Sequence, residues 1–190
     1  MISREIKLQF DDYKKLLVKW NSTINLISKN DIEKIEERHF EDSIQLINFI
    51  TDKNISIIDI GSGAGFPGVI LSILDIKEMT LIESDSRKSA FLMQALKLSS
   101  NLITVINERV ENIKDLTCDI ITSRAFSDLN SIFNYSKNIT VKDKYLLHKG
   151  ETYKKELDSA DKHWLFNVNI HDSITCEKGK ILEIINVRAR

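Results

Sequence analysis

Ile55-Ser56-Ile57-Ile58-Asp59-Ile60-Gly61-Ser62-Gly63-Ala64-Gly65-Phe66-Pro67-Gly68 runs from a short apolar segment carrying one acid straight into a glycine-rich turn. Four of the six glycines and the only proline of this 190-residue chain fall inside its last eight residues. Glycine opens backbone conformations closed to other residues and lets a ligand come close to the main chain. A strand that stops at such a turn and restarts as a helix is expected to aim free backbone N–H groups outward, the usual cradle for a nucleotide-like cofactor.

Outward from this turn, the chain alternates between two rhythms. Short runs rich in Ile and Val at 55–60, 78–83, 102–106, 118–122, 144–148, 163–170 and 181–187 read as strands. Helical stretches lie between them near 67–75, 85–99, 127–137 and 150–161. That alternation predicts a mostly parallel, seven-stranded sheet with helices on both faces. Only the loop Asp172 to Gly179 separates the last two strands, which predicts an antiparallel hairpin. Before the first strand, Ile6, Phe10, Tyr13, Leu17 and Trp20 recur at helical steps, and a second helix is expected over roughly 30–50. The organisation predicted is an N-terminal helical extension, 1–50, on a Rossmann-like α/β core, 51–190.

Composition narrows the class. An apolar content of 42% and a charged content of 29% describe a globular chain able to bury a core. No apolar run approaches a membrane span, and Met1-Ile2-Ser3-Arg4-Glu5 does not open a secretory signal, so a cytoplasmic location is expected. Cys118 and Cys176 have no metal spacing and read as buried thiols. The net charge of −1 neither suggests nor excludes a polyanionic partner. Residues 1–30 carry six basic and three acidic side chains, a pattern that a solvated helix face explains.

The glycine spacing bears on the ligand. A dinucleotide turn prefers Gly-x-Gly-x-x-Gly, with glycine where Phe66 stands. Here the pattern is Gly-x-Gly-x-Gly behind an acid, Asp59, which looks like the first motif of Rossmann-like S-adenosylmethionine (SAM) methyltransferases. Glu83 ends the next strand about twenty residues on, where a carboxylate can bridge a ribose diol. Three rival readings stay open: a SAM enzyme with another RNA, protein or small-molecule substrate, a SAM-binding module without turnover, and, most weakly, an NAD-dependent oxidoreductase.

Several segments together resemble the RsmG family, also called glucose-inhibited division protein B, bacterial 16S rRNA guanine-N7 methyltransferases. They are Trp20-Asn21 with Ile24-Asn25-Leu26, Arg38-His39-Phe40-Glu41-Asp42-Ser43, the turn itself, and Leu81-Ile82-Glu83-Ser84 with Arg87-Lys88 and Phe91-Leu92. Arg109-Val110-Glu111, Ser123-Arg124-Ala125-Phe126 and His148-Lys149-Gly150 follow in family order. Ile27-Ser28-Lys29 departs from the family's usual Thr-Ala and an apolar residue.

The resemblance implies a class I SAM methyltransferase acting on N7 of guanine 527 in the 530 loop of 16S rRNA, as a monomer on the 30S subunit or its precursor, with neither DNA nor membrane as partner. It implies a cofactor loop of Gly61, Gly63, Gly65 and Phe66, with Glu83 at the ribose. Val110 and Glu111 would bind the cofactor at the adenine edge, and Arg124 would bind it at the pocket mouth, where substrate and cofactor meet. Guanine N7 carries a lone pair and loses no proton, so no general base is expected and no residue is given a catalytic role. His148, His163 and His171 show no metal spacing, so no metal is expected. The chain has no Asn/Asp-Pro-Pro-aromatic segment, which enzymes acting on exocyclic amines usually carry. His39 reads as structural, Trp20 as core, and Lys149 as either a phosphate contact or an ordinary surface lysine.

Overall fold

The computed structural model describes residues 3–190. Met1 and Ile2, the start of the segment read as carrying no secretory signal, lie outside the described residues. Seven strands form one sheet: β1 (Ser56–Ile60), β2 (Glu78–Ile82), β3 (Leu102–Ile106), β4 (Leu116–Arg124), β5 (Ile139–Lys149), β6 (Trp164–Asp172) and β7 (Lys180–Ala189). Their order is β3-β2-β1-β4-β5-β7-β6. The pairs from β3 through β5 are parallel, and β7 inserts antiparallel between β5 and β6. The hairpin is as expected, but its second strand reaches past its first to join the sheet.

Side chains alternate between the two faces with the period of two that a strand imposes. Ile57, Leu81, Ile120, Leu146 and Ile181 belong to one buried cluster, and their neighbours Ile58, Ile82, Ile121, Leu147 and Leu182 to the other. The first face is covered by α1 (Arg4–Asn21), α3 (Gly68–Ile73) and α4 (Ser86–Ala95). The second is covered by α5 (Leu129–Tyr135) and α6 (Tyr153–Ala160). Helix α1 starts where the Ser3 side chain accepts a hydrogen bond from the Ile6 amide, and it buries Phe10, Tyr13 and Leu17.

The second N-terminal helix is not a regular one. Residues Lys29–Lys34 form a 3₁₀ turn and Glu36–Glu41 a π-helical turn. The single α turn α2 (Asp42–Ile44) and another 3₁₀ stretch, Gln45–Phe49, follow. Ile35 and Phe40, five residues apart, are both buried, the spacing that the i→i+5 geometry of a π turn brings onto one face. The wider turn sets the Arg38–Asp42 segment across the carboxyl ends of the strands. Among the described residues, no helix is long and apolar enough to cross a membrane.

Candidate functional site

The strand order reverses between β1 and β4, and open α/β sheets bind ligands outside the carboxyl ends of the strands at such a point. A cavity of about 850 Å³ lies there, within the roughly 300–1,000 Å³ range of small-molecule clefts. Gly61, Gly63, Phe66 and Glu83 line it, as do Val110, Glu111 and Arg124.

The turn after β1 is held from below. Asp59 is fully buried and accepts hydrogen bonds from Thr122 Oγ1 at 2.9 Å and the Gly68 amide at 3.3 Å. Burial pushes its carboxyl pKa up to about 6, against the opposing pull of the Thr122 bond. Gly68 lets α3 sit directly on β1, since a Cβ there would run into Leu81 and Asp59. Gly61 has φ +66°, and a Cβ on it would be driven into the Phe126 ring. Gly63 has φ +55° with its nearest neighbour, the Gly61 carbonyl, 3.8 Å from where a Cβ would stand, so this backbone is open to close approach.

Four of the turn's amides are engaged within the protein and are not left free as expected. Those of Gly61 and Ser62 donate to the Ile82 carbonyl, that of Gly65 to Ser62, and that of Gly63 to Glu83 Oε2 at 2.8 Å. An anion cradle needs such groups free. Their engagement suits a ligand without a pyrophosphate. Glu83 is 7% exposed, and its other carboxylate oxygen accepts from the Asp85 amide at 2.8 Å. Each oxygen keeps acceptor capacity for a diol.

Gly65 is placed differently from its companions. It has φ +84°, and a Cβ there would meet Val69, the Tyr13 hydroxyl and Leu92, so it turns the chain beneath α1 and does not line the cavity. The Tyr13 hydroxyl donates to the Ala64 carbonyl, tying α1 to the turn. Phe66 is 3% exposed, with Tyr13 and Phe40 packed around it. The His39 ring stacks on it at 4.9 Å and 16°. The Arg124 guanidinium lies over the same ring, also 4.9 Å from its centre. Phe66 is therefore the base of a small stack in the cavity wall.

Val110 and Glu111 open a 3₁₀ turn (Val110–Asn112) after β3, with Val110 buried and Glu111 exposed 3.8 Å from Arg109. Arg124 ends β4 and is mostly buried. Its NH1 donates to the Arg38 carbonyl at 3.1 Å and to Asp42 Oδ2 at 3.2 Å. Both partners come from the irregular N-terminal segment. Burial, helped by Arg124, lowers the His39 pKa to about 4, and neither ring nitrogen has a hydrogen-bond partner. The ring packs as a neutral group against Phe66.

Other expectations are corrected. Lys149 is not an ordinary surface lysine: its side chain is 7% exposed and pairs with Glu156 Oε2 at 2.8 Å. Cys118 is buried, whereas Cys176 is exposed on the hairpin loop and lines the cavity. Trp20 packs edge-on to Phe91 in the core, as expected. Lys88 borders the cavity, while Arg87 faces outward and pairs with Asp85. Sequence reasoning missed Asp42 and Thr175, whose hydroxyl donates to Asp42 Oδ1 at 2.8 Å. Asp42 stands in the Arg38–Ser43 motif, but only the fold brings it to the end of β4.

Over residues 6–185, the chain matches the GidB family, described as rRNA small subunit methyltransferase G. Two relatives named ribosomal RNA small subunit methyltransferase G, from Rickettsia rickettsii (strain Sheila Smith) and Rickettsia prowazekii (strain Madrid E), are each 50% identical to it over 186 residues. Each alignment covers 98% of this chain and 97% of the relative. The chain belongs to this family. Solved structures resemble its fold at lower identity. A SAM-dependent methyltransferase from Aquifex aeolicus superposes with a TM-score of 0.63 at 15% identity, over 83% of this chain and 96% of the other. A mutant of MtNAS in complex with S-adenosylmethionine gives 0.64 at 13%, over 95% and 75%. The family and the class I methyltransferase fold expected from the sequence are both borne out.

Proposed function

We propose that the protein is a SAM-dependent methyltransferase of small-subunit ribosomal RNA that modifies N7 of guanine 527 in the 530 loop of 16S rRNA, working as a cytoplasmic monomer on the 30S subunit or its precursor. One observation carries the cofactor half of this reading. The glycine turn, the Glu83 carboxylate, the Val110–Glu111 turn and Arg124 all border a single cavity at the strand reversal. Membership of a family described as rRNA small subunit methyltransferase G supports the substrate class.

When bound, SAM supplies a methyl group on a positively charged sulfur. Glu83 would accept hydrogen bonds from the ribose diol, and the open Gly63 backbone would let the ligand lie close to the chain. Val110 would give the adenine an apolar surface, and Glu111 an acceptor at its edge. N7 brings its own lone pair, so these residues have no proton to move. Their work is alignment and water exclusion, and positioning alone can lower a barrier by about 7–11 kcal/mol. Gly65 would support the loop from beneath without touching the ligand.

Tritium transfer from labelled SAM to 30S particles lacking this modification, followed by nucleoside analysis, tests the reading. Label should be recovered as 7-methylguanosine and be abolished by Gly63→Asp. Label in another nucleoside, or none, would contradict the proposal.

A further inference from the structure

Asp42, which borders the cavity, bonds to several separate parts of the chain. Its Oδ2 lies 3.2 Å from Arg124 NH1 at the end of β4. Its Oδ1 accepts from Thr175 on the β6–β7 loop and from Gln45, both at 2.8 Å. Its carbonyl accepts from His148 Nε2, at the end of β5, at 2.8 Å. Gln45 in turn bonds Ser173 Oγ and the Ile174 amide, pinning the same loop. One residue of the N-terminal segment thus gathers β4, β5 and the hairpin loop around a second hollow, about 460 Å³, which shares the Arg124–Ser127 wall with the main cavity.

The consequence for Arg124 is specific. NH1 is occupied by Asp42 and the Arg38 carbonyl, while Nε and NH2 donate to no group among the described residues. A guanidinium is a rigid planar fork, so tying NH1 to Asp42 and the Arg38 carbonyl, with the central carbon 4.9 Å from the Phe66 ring centre, restricts where the remaining donors point. Resting on the function proposed above, we infer that Asp42 is a positioning residue for methyl transfer. It holds Arg124 so that the free edge of the guanidinium meets an acceptor oxygen of the target base, such as guanine O6 beside N7. Asp42 itself touches neither cofactor nor base. Its carboxylate also keeps the neighbouring cation compensated, which a neutral side chain of the same shape would not.

The test compares wild type, Asp42→Asn, Arg124→Gln and the double variant in single-turnover transfer from labelled SAM to 30S particles, with the dissociation constant of SAM measured separately. Asp42→Asn keeps an acceptor for Thr175 and the backbone bond to His148, and puts an NH2 group where Oδ2 stood, so both the charge and the hydrogen bond toward Arg124 are lost. It should slow transfer roughly 10- to 100-fold. SAM affinity should stay within about threefold, and the double variant should be no slower than Arg124→Gln alone. Asp42→Glu, which restores the charge, should recover part of the rate. Should Asp42→Asn fail to fold, Asp42→Ser with and without Arg124→Gln closes the same cycle. Multiplying losses in the double variant, or a loss confined to SAM affinity, would overturn the inference and leave the proposed function standing. A wild-type protein that methylates no guanine in these particles would sink both.

Discussion

At the scale of single residues, the site rests on a few positions that tolerate no side chain, or only one protonation state. Gly61→Ala combines a left-handed backbone with a Cβ driven into Phe126. Overpacking of this kind costs about 1–3 kcal/mol, before the strain of a positive φ is added. Gly63→Ala meets strain without collision. Urea unfolding should therefore find Gly61→Ala clearly the less stable of the two. Equal losses would mean that Phe126 moves aside freely.

His39 and Asp59 give the residue scale a pH signature. For His39, the folded pKa of about 4 lies below the ordinary 6.5, so its contribution is complete above about 6.5 and is lost as pH falls toward 4. Asp59 has a folded pKa of about 6, above the ordinary 3.8, so its contribution is complete at low pH and is lost as pH rises toward 6. The two oppose each other across the same window. His39→Phe keeps an aromatic ring against Phe66 and removes one of them. The stability advantage of wild type over His39→Phe should shrink as pH is lowered from 7 to about 4.5, and a difference independent of pH would contradict a neutral buried ring. Sequence could flag Asp59 and Glu83 because each stands at a fixed place beside the turn. It could not separate Gly65 from Gly61 and Gly63, since what distinguishes them is a neighbour from another part of the chain, Tyr13 for one and Phe126 for another.

At the scale of elements, Lys149 and Glu156 join the end of β5 to α6, and Glu156 also accepts from the Leu129 amide at the start of α5. Removing one partner of a fully buried pair costs about 3–5 kcal/mol, an upper bound for this partly buried one, whose Glu156 is 17% exposed. Lys149→Ala should lose stability within that bound in a chemical denaturation, with part of the loss recovered when Glu156→Gln is added. A neutral Lys149→Ala variant would return this lysine to the surface role that sequence allowed. All seven strands were legible because apolar, β-branched runs separated by helices leave little choice. The irregular stretch from Lys29 to Phe49 was not, although the five-residue step from Ile35 to Phe40 was its visible trace. A periodicity argument absorbs one long step into the average rhythm, whereas packing rebuilds the helix around it.

At the scale of the whole molecule, we propose that the N-terminal segment and the α/β core behave as one unit despite the division at residue 50 that the sequence suggests. Phe10, Tyr13, Leu17 and Phe40 share a cluster with Phe66, Leu92 and the strand residues of the first sheet face. Deleting residues 1–50 would expose that face and remove Asp42 and His39 from the cavity wall. The full chain should unfold in a single transition, with SAM raising its midpoint, and the truncated chain should show neither. A truncated chain that folds and binds SAM would make the extension a separate cap. The position of β7 between β5 and β6 was out of reach of local reading. Sequence neighbours announce a hairpin, but which strand of it joins the sheet depends on the whole layer of helices beneath.

The substrate atom and its position in the RNA are the centre of this account, and both can be read at once. Small-subunit rRNA would be taken from cells lacking their own family member, with and without this protein supplied, and cleaved chemically at N7-methylated guanines. Cleavage at guanine 527 only when the protein is present is the result expected. No protein-dependent cleavage, or cleavage at a different guanine, would contradict it.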